Sequence, residues 1–381
     1  MYENSVPDVE FSEFVPIFSD RRLVPSSAAV GGSVSDFVIV DPNEALRRPE
    51  VAEAVHSCGV FASPAWFSVL QQSYGYRPGY LVGRKRGGVP ALVLPFMEVR
   101  SLLTGSRGIS VPFSDYCPLF AASEEDLHKG IAFLKEYGRK RGWRYLELRP
   151  DTPEGEFDSE SAFGRFYVHT LDLLPSEDEL LSTFSTNTRR NIRKAGKTGL
   201  STRVGTDLSD VLEFYGLHVQ TRRHHGLPPQ PVDFFVNLHR KIIGRGKGMV
   251  VLAHDRGTPV AGNVYLGTGQ RAWYKYGALD RNHTAARASF LVMWEAIRAY
   301  KRAGATSLCM GRTDLAGEGL TRFKDGWGTT RKIINYVRYD YAAGRFVSGR
   351  NFGPGAANPL FRRLPLGLLR LAGKYLYRHV A

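Results

Sequence analysis

From Asp36 onward the chain alternates between short apolar runs and amphipathic stretches, and its first 35 residues do not. DFVIV (36–40) is β-branched and bounded by polar residues, which predicts a strand. Apolar positions spaced by three and four predict helices over roughly 43–56 and 64–74. YLVGRKRGGVPALVLPFMEV (80–99) is two apolar runs around a basic, glycine-containing turn, the pattern of a hairpin. DLHKGIAFLKEYGRKRG (126–142) has an amphipathic helical period, and WRYLELRP (143–150) follows it as a strand. Residues 1–35 are rich in Ser, Pro and Val and end SSAAVGGSVS, which predicts a poorly ordered arm.

The second half repeats the order. GMVVLAHDRGTPVAGNVYLG (248–267) predicts a hairpin, AWYKYGAL (272–279) a strand, ARASFLVMWEAIRAYKRAG (286–304) a helix and ATSLCMGR (305–312) a further strand. In both halves a helix, a glycine and a strand lead to an arginine, Arg149 in one and Arg312 in the other. This weak, long-period repeat suggests two copies of one α/β (α+β) unit with mixed sheets, although any two mixed domains would share some of it. The expected division is an arm over 1–35, units over 36–165 and 166–345, and a linker with a C-terminal helix over 346–381. No GxGxxG follows a strand and no GxxxxGK[ST] occurs, so the common nucleotide-binding loops are missing.

The net charge of +14 is concentrated in two places. Arg189–Lys247 holds 12 basic and 4 acidic residues, and Arg345–Ala381 holds 7 basic residues and no acid. Such clustering implies a polyanionic partner, either a nucleotide diphosphate, RNA or anionic lipid. The start of the chain is acidic and lacks an apolar segment, no run reaches membrane-spanning length, and the three cysteines are far apart. A cytoplasmic protein, at most peripheral at the inner membrane face, is expected.

GRTDLAGEGLTRFKDGWG (311–328) carries the most chemistry. On a helix through this stretch Leu320, Phe323, Trp327 and Lys324 share one side. A lysine there either snorkels to water or is a cation held in a dry pocket against developing negative charge. Arg190, Arg193, Lys194 and Lys197 are spaced i, i+3, i+4, i+7 and form one basic stripe. With no acid among them, they read either as a solvated face or as a binding face for pyrophosphate or RNA. His218, His224 and His225 lack an acidic or cysteine companion, so no metal is expected. No serine or cysteine is linked to a histidine in a nucleophile motif. In NPLFRRLPLGLLRLAGKYLYRHVA (358–381) Arg370, Lys374 and Arg378 share a face, with Leu368, Leu369, Tyr375 and Leu376 on the other. A helix lying on anionic membrane and one packed on its own domain both fit.

Taken in order, ASPAWFSVL (62–70), TNTRRNIRKAGKTGL (186–200), HVQTRRHHGLP (218–228), TPVAGNVYLG (258–267) and GR…EGLTRFKDGWG (311–328) resemble the FemAB and BioF-like acyltransferases, over roughly residues 37–341. The resemblance implies tandem GNAT-type folds and transfer of an activated acyl group to an amine of a cell-envelope precursor, such as a peptidoglycan or polysaccharide intermediate. It implies that Phe323 and Lys324 lie at the reaction centre, Lys324 stabilising the tetrahedral intermediate. Arg223 would grip the diphosphate of a nucleotide- or lipid-linked glycan or peptide acceptor. Arg190, Arg193, Lys194, Lys197, Tyr276, Arg312 and Trp327 complete the expected substrate-binding set. No tightly bound cofactor and no DNA partner are expected. The donor is either aminoacyl-tRNA or acyl-CoA: the Q/RxxGxG/A turn of acetyl-CoA enzymes is missing from RNHTAARAS (281–289), and so is the helical arm of many FemA-like proteins.

Overall fold

The computed structural model describes residues 37–84, 89–151, 162–349 and 358–380; the expected N-terminal arm and the tip of the first hairpin lie outside the described residues. The first unit contains β1 (Phe37–Val40), β2 (Arg77–Arg84), β3 (Pro90–Ser101), β4 (Gly105–Ile109), β5 (Phe120–Ala121) and β6 (Trp143–Leu148). Its helices are α1 (Pro42–Leu46), α2 (Pro49–Ser57), α3 (Pro64–Tyr74) and α4 (Glu124–Lys140). The helix expected over 43–56 is two, because Pro49 starts a new one; a proline in a first turn forfeits no helical hydrogen bond. α3 has the expected bounds, opened by the Ser63 side chain on the Trp66 amide and ended by Gly75 in the left-handed region.

The second unit contains β7 (Gly164–Asp172), β8 (Ser201–Gly205), β9 (Gly248–Asp255), β10 (Thr258–Thr268), β11 (Arg271–Leu279), β12 (Ser307–Asp314), β13 (Thr330–Asp340) and β14 (Arg345–Phe346). Its helices are α5 (Glu177–Thr183), α6 (Thr186–Ala195), α7 (Leu208–His224), α8 (Val232–Lys241), α9 (Ala288–Arg302) and α10 (Glu318–Asp325). The expected boundary at 165/166 falls inside β7. The predicted repeat is present: β2–β3–β4 and β9–β10–β11 are antiparallel meanders, and α4 and α9 cross over to β6 and β12, which pair in parallel with β4 and β11.

One sheet path joins the units in the order β1-β2-β3-β4-β6-β13-β7-β12-β11-β10-β9-β8. β13 is shared. Thr330–Tyr336 pairs with β7, and Val337–Asp340 continues onto β6 of the first unit. Across one face, α3 of the first unit packs on α8 of the second through Trp66 and Phe234, whose rings lie 6.1 Å apart.

The C-terminal region forms two helices, α11 (Pro359–Arg363) and α12 (Leu366–Val380), separated at Pro365. α12 packs on the protein. Leu369, Gly373 and Tyr377 are buried, and Tyr377 accepts a 2.9 Å hydrogen bond from Arg222. The expected apolar face therefore divides: Leu369 points inward, while Leu368, Tyr375 and Leu376 are exposed.

Candidate functional site

β11 and β12 run parallel only where Arg271–Trp273 meets Ser307–Cys309. Beyond that point β11 keeps β10 and β12 keeps β7, so the two strands part and leave a wedge walled by their backbones. Both strands bulge at the opening. Lys275 is the extra residue between Tyr274 and Tyr276, which face Tyr265 and Val264. Met310 and Gly311 together stand opposite His169, with Gly311 at φ +74°. A bulge re-aims side chains out of the ordinary alternation, which places Lys275 differently from a regular strand residue.

The wedge receives a loop from the first unit. Ser110 donates from its amide to the Glu147 carbonyl (2.8 Å), which anchors the start of the loop on β6. Phe113 adopts φ 58°, a conformation uncommon for an aromatic residue. Its carbonyl accepts from Lys275 Nζ, the Asp115 carbonyl accepts from the Tyr336 hydroxyl, and the Tyr116 hydroxyl accepts from Trp273 Nε1 at 3.3 Å. These bonds bring the Asp115 carboxylate to the Gly311 bulge, where a Cβ on Gly311 would lie 3.1 Å from Asp115 Oδ2. Among the described residues nothing pairs with that carboxylate by ion pair or hydrogen bond, which leaves it for a substrate group.

Around Asp115 stand several cations. Lys324, 3% exposed, donates to the Gly311 and Arg312 carbonyls, both at 2.9 Å. An ammonium has three protons, so one remains for a ligand. Burial pulls Lys324 down to about 8, and the nearby Asp115 charge opposes that shift. Lys275 lies over the rings of Phe61 (4.9 Å), Tyr276 (5.5 Å) and Trp66 (5.6 Å), and burial lowers its pKa as well. Arg149 and Arg312, the two arginines of the repeat, converge on one ring: each guanidinium lies 5.1 Å from the centre of Tyr336. Arg149 is neutralised by Glu147 at 2.7 Å. Lys275, Lys324 and exposed Arg312 thus outnumber Asp115, and the wedge suits an anionic guest or a reaction that develops negative charge.

The other expected residues fall into three places. Phe323 is half-buried against Phe290, with ring centres 5.5 Å apart. Trp327 lies beyond the end of α10, wholly buried between Phe184 and Phe290, so it backs the site rather than forming its surface. Leu320, expected on the same stripe, is exposed. Tyr276 belongs to an aromatic wall with Phe234, Phe235 and His218. His218 bonds Gln230 at 2.7 Å, and burial lowers it to about 3, which keeps it neutral.

Arg223 lines a separate cleft of about 570 Å³ with His224, His225, Asp280, Arg281 and Arg362. Leu279 of β11 borders this cleft, four residues from Lys275, or roughly 13 Å along an extended strand. Among the described residues no cluster of His, Cys, Asp and Glu has the makings of a metal site. Arg190, Arg193 and Lys194 are exposed on α6; Lys197 lies past its end, so the stripe is helical over three residues. α6 abuts α10: the Ser185 amide bonds the Gly326 carbonyl at 2.9 Å.

Asp115 and Lys275 escape sequence reasoning. PFSDYCPL (112–119) looks like any polar loop, and only the three-dimensional seam brings it to β12. Lys275 did leave a trace, as the one charge within the apolar and aromatic run AWYKYGAL (272–279), beside the expected Tyr276.

Residues 182–325 match the family model described as an acetyltransferase (GNAT) domain. That span includes Lys275, Arg312, Phe323 and Lys324 but not Asp115. Comparison with curated proteins gives no match. Among solved structures, FemX is similar at 14% identity and a TM-score of 0.60, over 79% of this chain and 97% of FemX. A tandem GNAT protein from the clavulanic acid biosynthesis pathway is similar at 12% identity and a TM-score of 0.51, over 80% of this chain and 98% of that one. The chain thus has a tandem GNAT-type fold, and it is the second unit that contains the stretch matching the GNAT acetyltransferase model.

Proposed function

We propose that the chain is an N-acyltransferase that moves an activated acyl group from an aminoacyl ester to an amine of a cell-envelope precursor. The observation that supports it most is the unpaired Asp115 carboxylate set among Lys275 and Lys324 in the wedge between β11 and β12. The acceptor amine attacks the ester carbonyl as a neutral nucleophile, its N–H held by Asp115. A C–N bond forms and the carbonyl oxygen becomes an oxyanion, stabilised by the remaining proton of Lys324. Collapse breaks the C–O bond, and the proton lost by the amine ends on the leaving hydroxyl. An aminoacyl ester is reactive enough for this once the two partners are held together. The Arg223 cleft suits the diphosphate of the acceptor, about one extended tetrapeptide from the wedge.

The test offers purified protein a nucleotide-linked, amine-bearing muropeptide with either aminoacyl-tRNA or acyl-CoA, and reads the product by mass spectrometry. An amide product from the aminoacyl donor is expected. Asp115→Asn should lower kcat at least about tenfold while the donor KM stays within about twofold. Product from acyl-CoA alone would give the donor role to the thioester, and no product from either donor would overturn the reading.

The α6 stripe carries a separate expectation, because it abuts α10 and faces water. Replacing Arg190 and Arg193 with Gln should raise the donor KM and flatten its dependence on salt, with kcat changed less. If the salt dependence is unaltered, the stripe is a solvated face.

A further inference from the structure

α12 presents a second apolar strip that the fold does not use. Helical periodicity sends Leu369, Gly373 and Tyr377 into the protein and Leu368, Leu371 and Tyr375 to the opposite side, where all three are exposed. Arg370, Lys374 and Arg378, four residues apart, run along one flank of that strip, each exposed. A second element stands at its C-terminal end. The turn between β3 and β4 carries Leu102, fully exposed, and Leu103, 70% exposed. This turn is tied to the helix: Ser101 Oγ lies 2.8 Å from His379 Nδ1, and Thr104 and Arg107 both donate to the His379 carbonyl, at 3.2 and 3.0 Å. Two elements distant in sequence thus place bare leucines on one end of the molecule.

We propose that this face docks on an anionic lipid bilayer, with Leu102, Leu103 and the outer strip of α12 in the interface and the basic flank on the headgroups. Apolar strip beside basic stripe is the arrangement of helices that lie in a bilayer surface, and no residue from Arg345 to Ala381 opposes it with negative charge. A second copy of the chain fits less well, since an antiparallel two-fold contact would bring the two basic flanks together. RNA would leave the leucines exposed to water. No helix among the described residues is long and apolar enough to cross a membrane, so the mode is surface docking. Its consequence for the site is short range: Tyr377, on the inner side of α12, has its ring 5.8 Å from that of Phe113, whose carbonyl holds Lys275.

Flotation of the full chain with vesicles of phosphatidylglycerol and phosphatidylcholine in equal parts, and with phosphatidylcholine alone, tests the proposal. Recovery with the anionic vesicles at low salt is expected, falling at moderate salt. Leu102→Ser/Leu103→Ser and, separately, Leu371→Ser/Tyr375→Ser should each cut recovery by about fivefold or more. Lys374→Gln/Arg378→Gln should remove the preference for anionic vesicles. All these side chains are exposed, so melting temperatures should stay within about 2 °C, which separates docking from misfolding. Transfer to a water-soluble acceptor should be unchanged, so failure of this proposal and of the transferase reading would show separately. Wild-type protein absent from both vesicle fractions would overturn the proposal. So would a dimer in sedimentation that the same leucine substitutions dissociate, which would give the face to self-association.

Discussion

Replacing Lys324 with methionine is expected to lower kcat/KM by about 10²–10³-fold while the protein stays folded. Methionine fills the same buried volume but supplies neither the charge nor the proton for an oxyanion. It also leaves the Gly311 and Arg312 carbonyls without their donor, offset by removal of a buried charge. The wild-type pH profile gives an independent reading. Loss of the Lys324 charge should give the profile a falling limb as pH rises through about 8. Stability should move the opposite way. The unfolded lysine titrates near 10.5 and the folded one near 8, so between those values the unfolded chain binds more protons and rising pH favours the native state. Any stability advantage of the methionine variant is therefore largest below pH 8 and shrinks above it. Activity within about threefold of wild type, with no falling limb near pH 8, would remove Lys324 from the chemistry.

Two tyrosines two residues apart on α12 should behave very differently. Tyr377→Ala is expected to cost about 3–5 kcal/mol, because it empties a buried site between Tyr74 and Phe113 and strands the Arg222 donor. Tyr375→Ala, on the exposed side, should change stability by less than about 0.5 kcal/mol. Thermal unfolding of both variants beside wild type is the measurement. Equal effects would mean that α12 does not hold the orientation described above.

Most of the architecture was legible because it is written in local periodicity. The hairpins, the helices over 64–74 and 126–142, and the strand–helix–strand order of both halves follow from apolar spacing and from Gly and Pro positions. Lys324 was legible too, since a helical wheel places it beside Phe323. What escaped is what depends on strands meeting far along the chain. The bulge that singles out Lys275 is a mismatch between β10 and β11, invisible in either strand alone. Asp115 becomes a site residue only when the first unit's loop enters the second unit's wedge. The burial of Trp327 depends on Phe184, 143 positions earlier. Likewise, the charge pattern of the tail showed that α12 has two faces but not which leucine each would take, because the inward face is set by the packing of α12 on α7 and α3.

The shared strand β13 has a consequence for the order of events during synthesis. The first unit's sheet ends at β6, whose partner Val337–Asp340 leaves the ribosome some 190 residues after Leu148. Until then the N-terminal half has an unpaired edge, with hydrogen-bonding groups open to any strand nearby. The loop carrying Asp115 likewise waits for Tyr336 of the same strand to fix it. Assembly of the seam that holds the candidate site is thus a late, long-range closure, of the kind whose loop entropy makes it slow. The nascent first half is the stage at which this chain most needs protection from aggregation, and its wedge matures only when both halves have emerged.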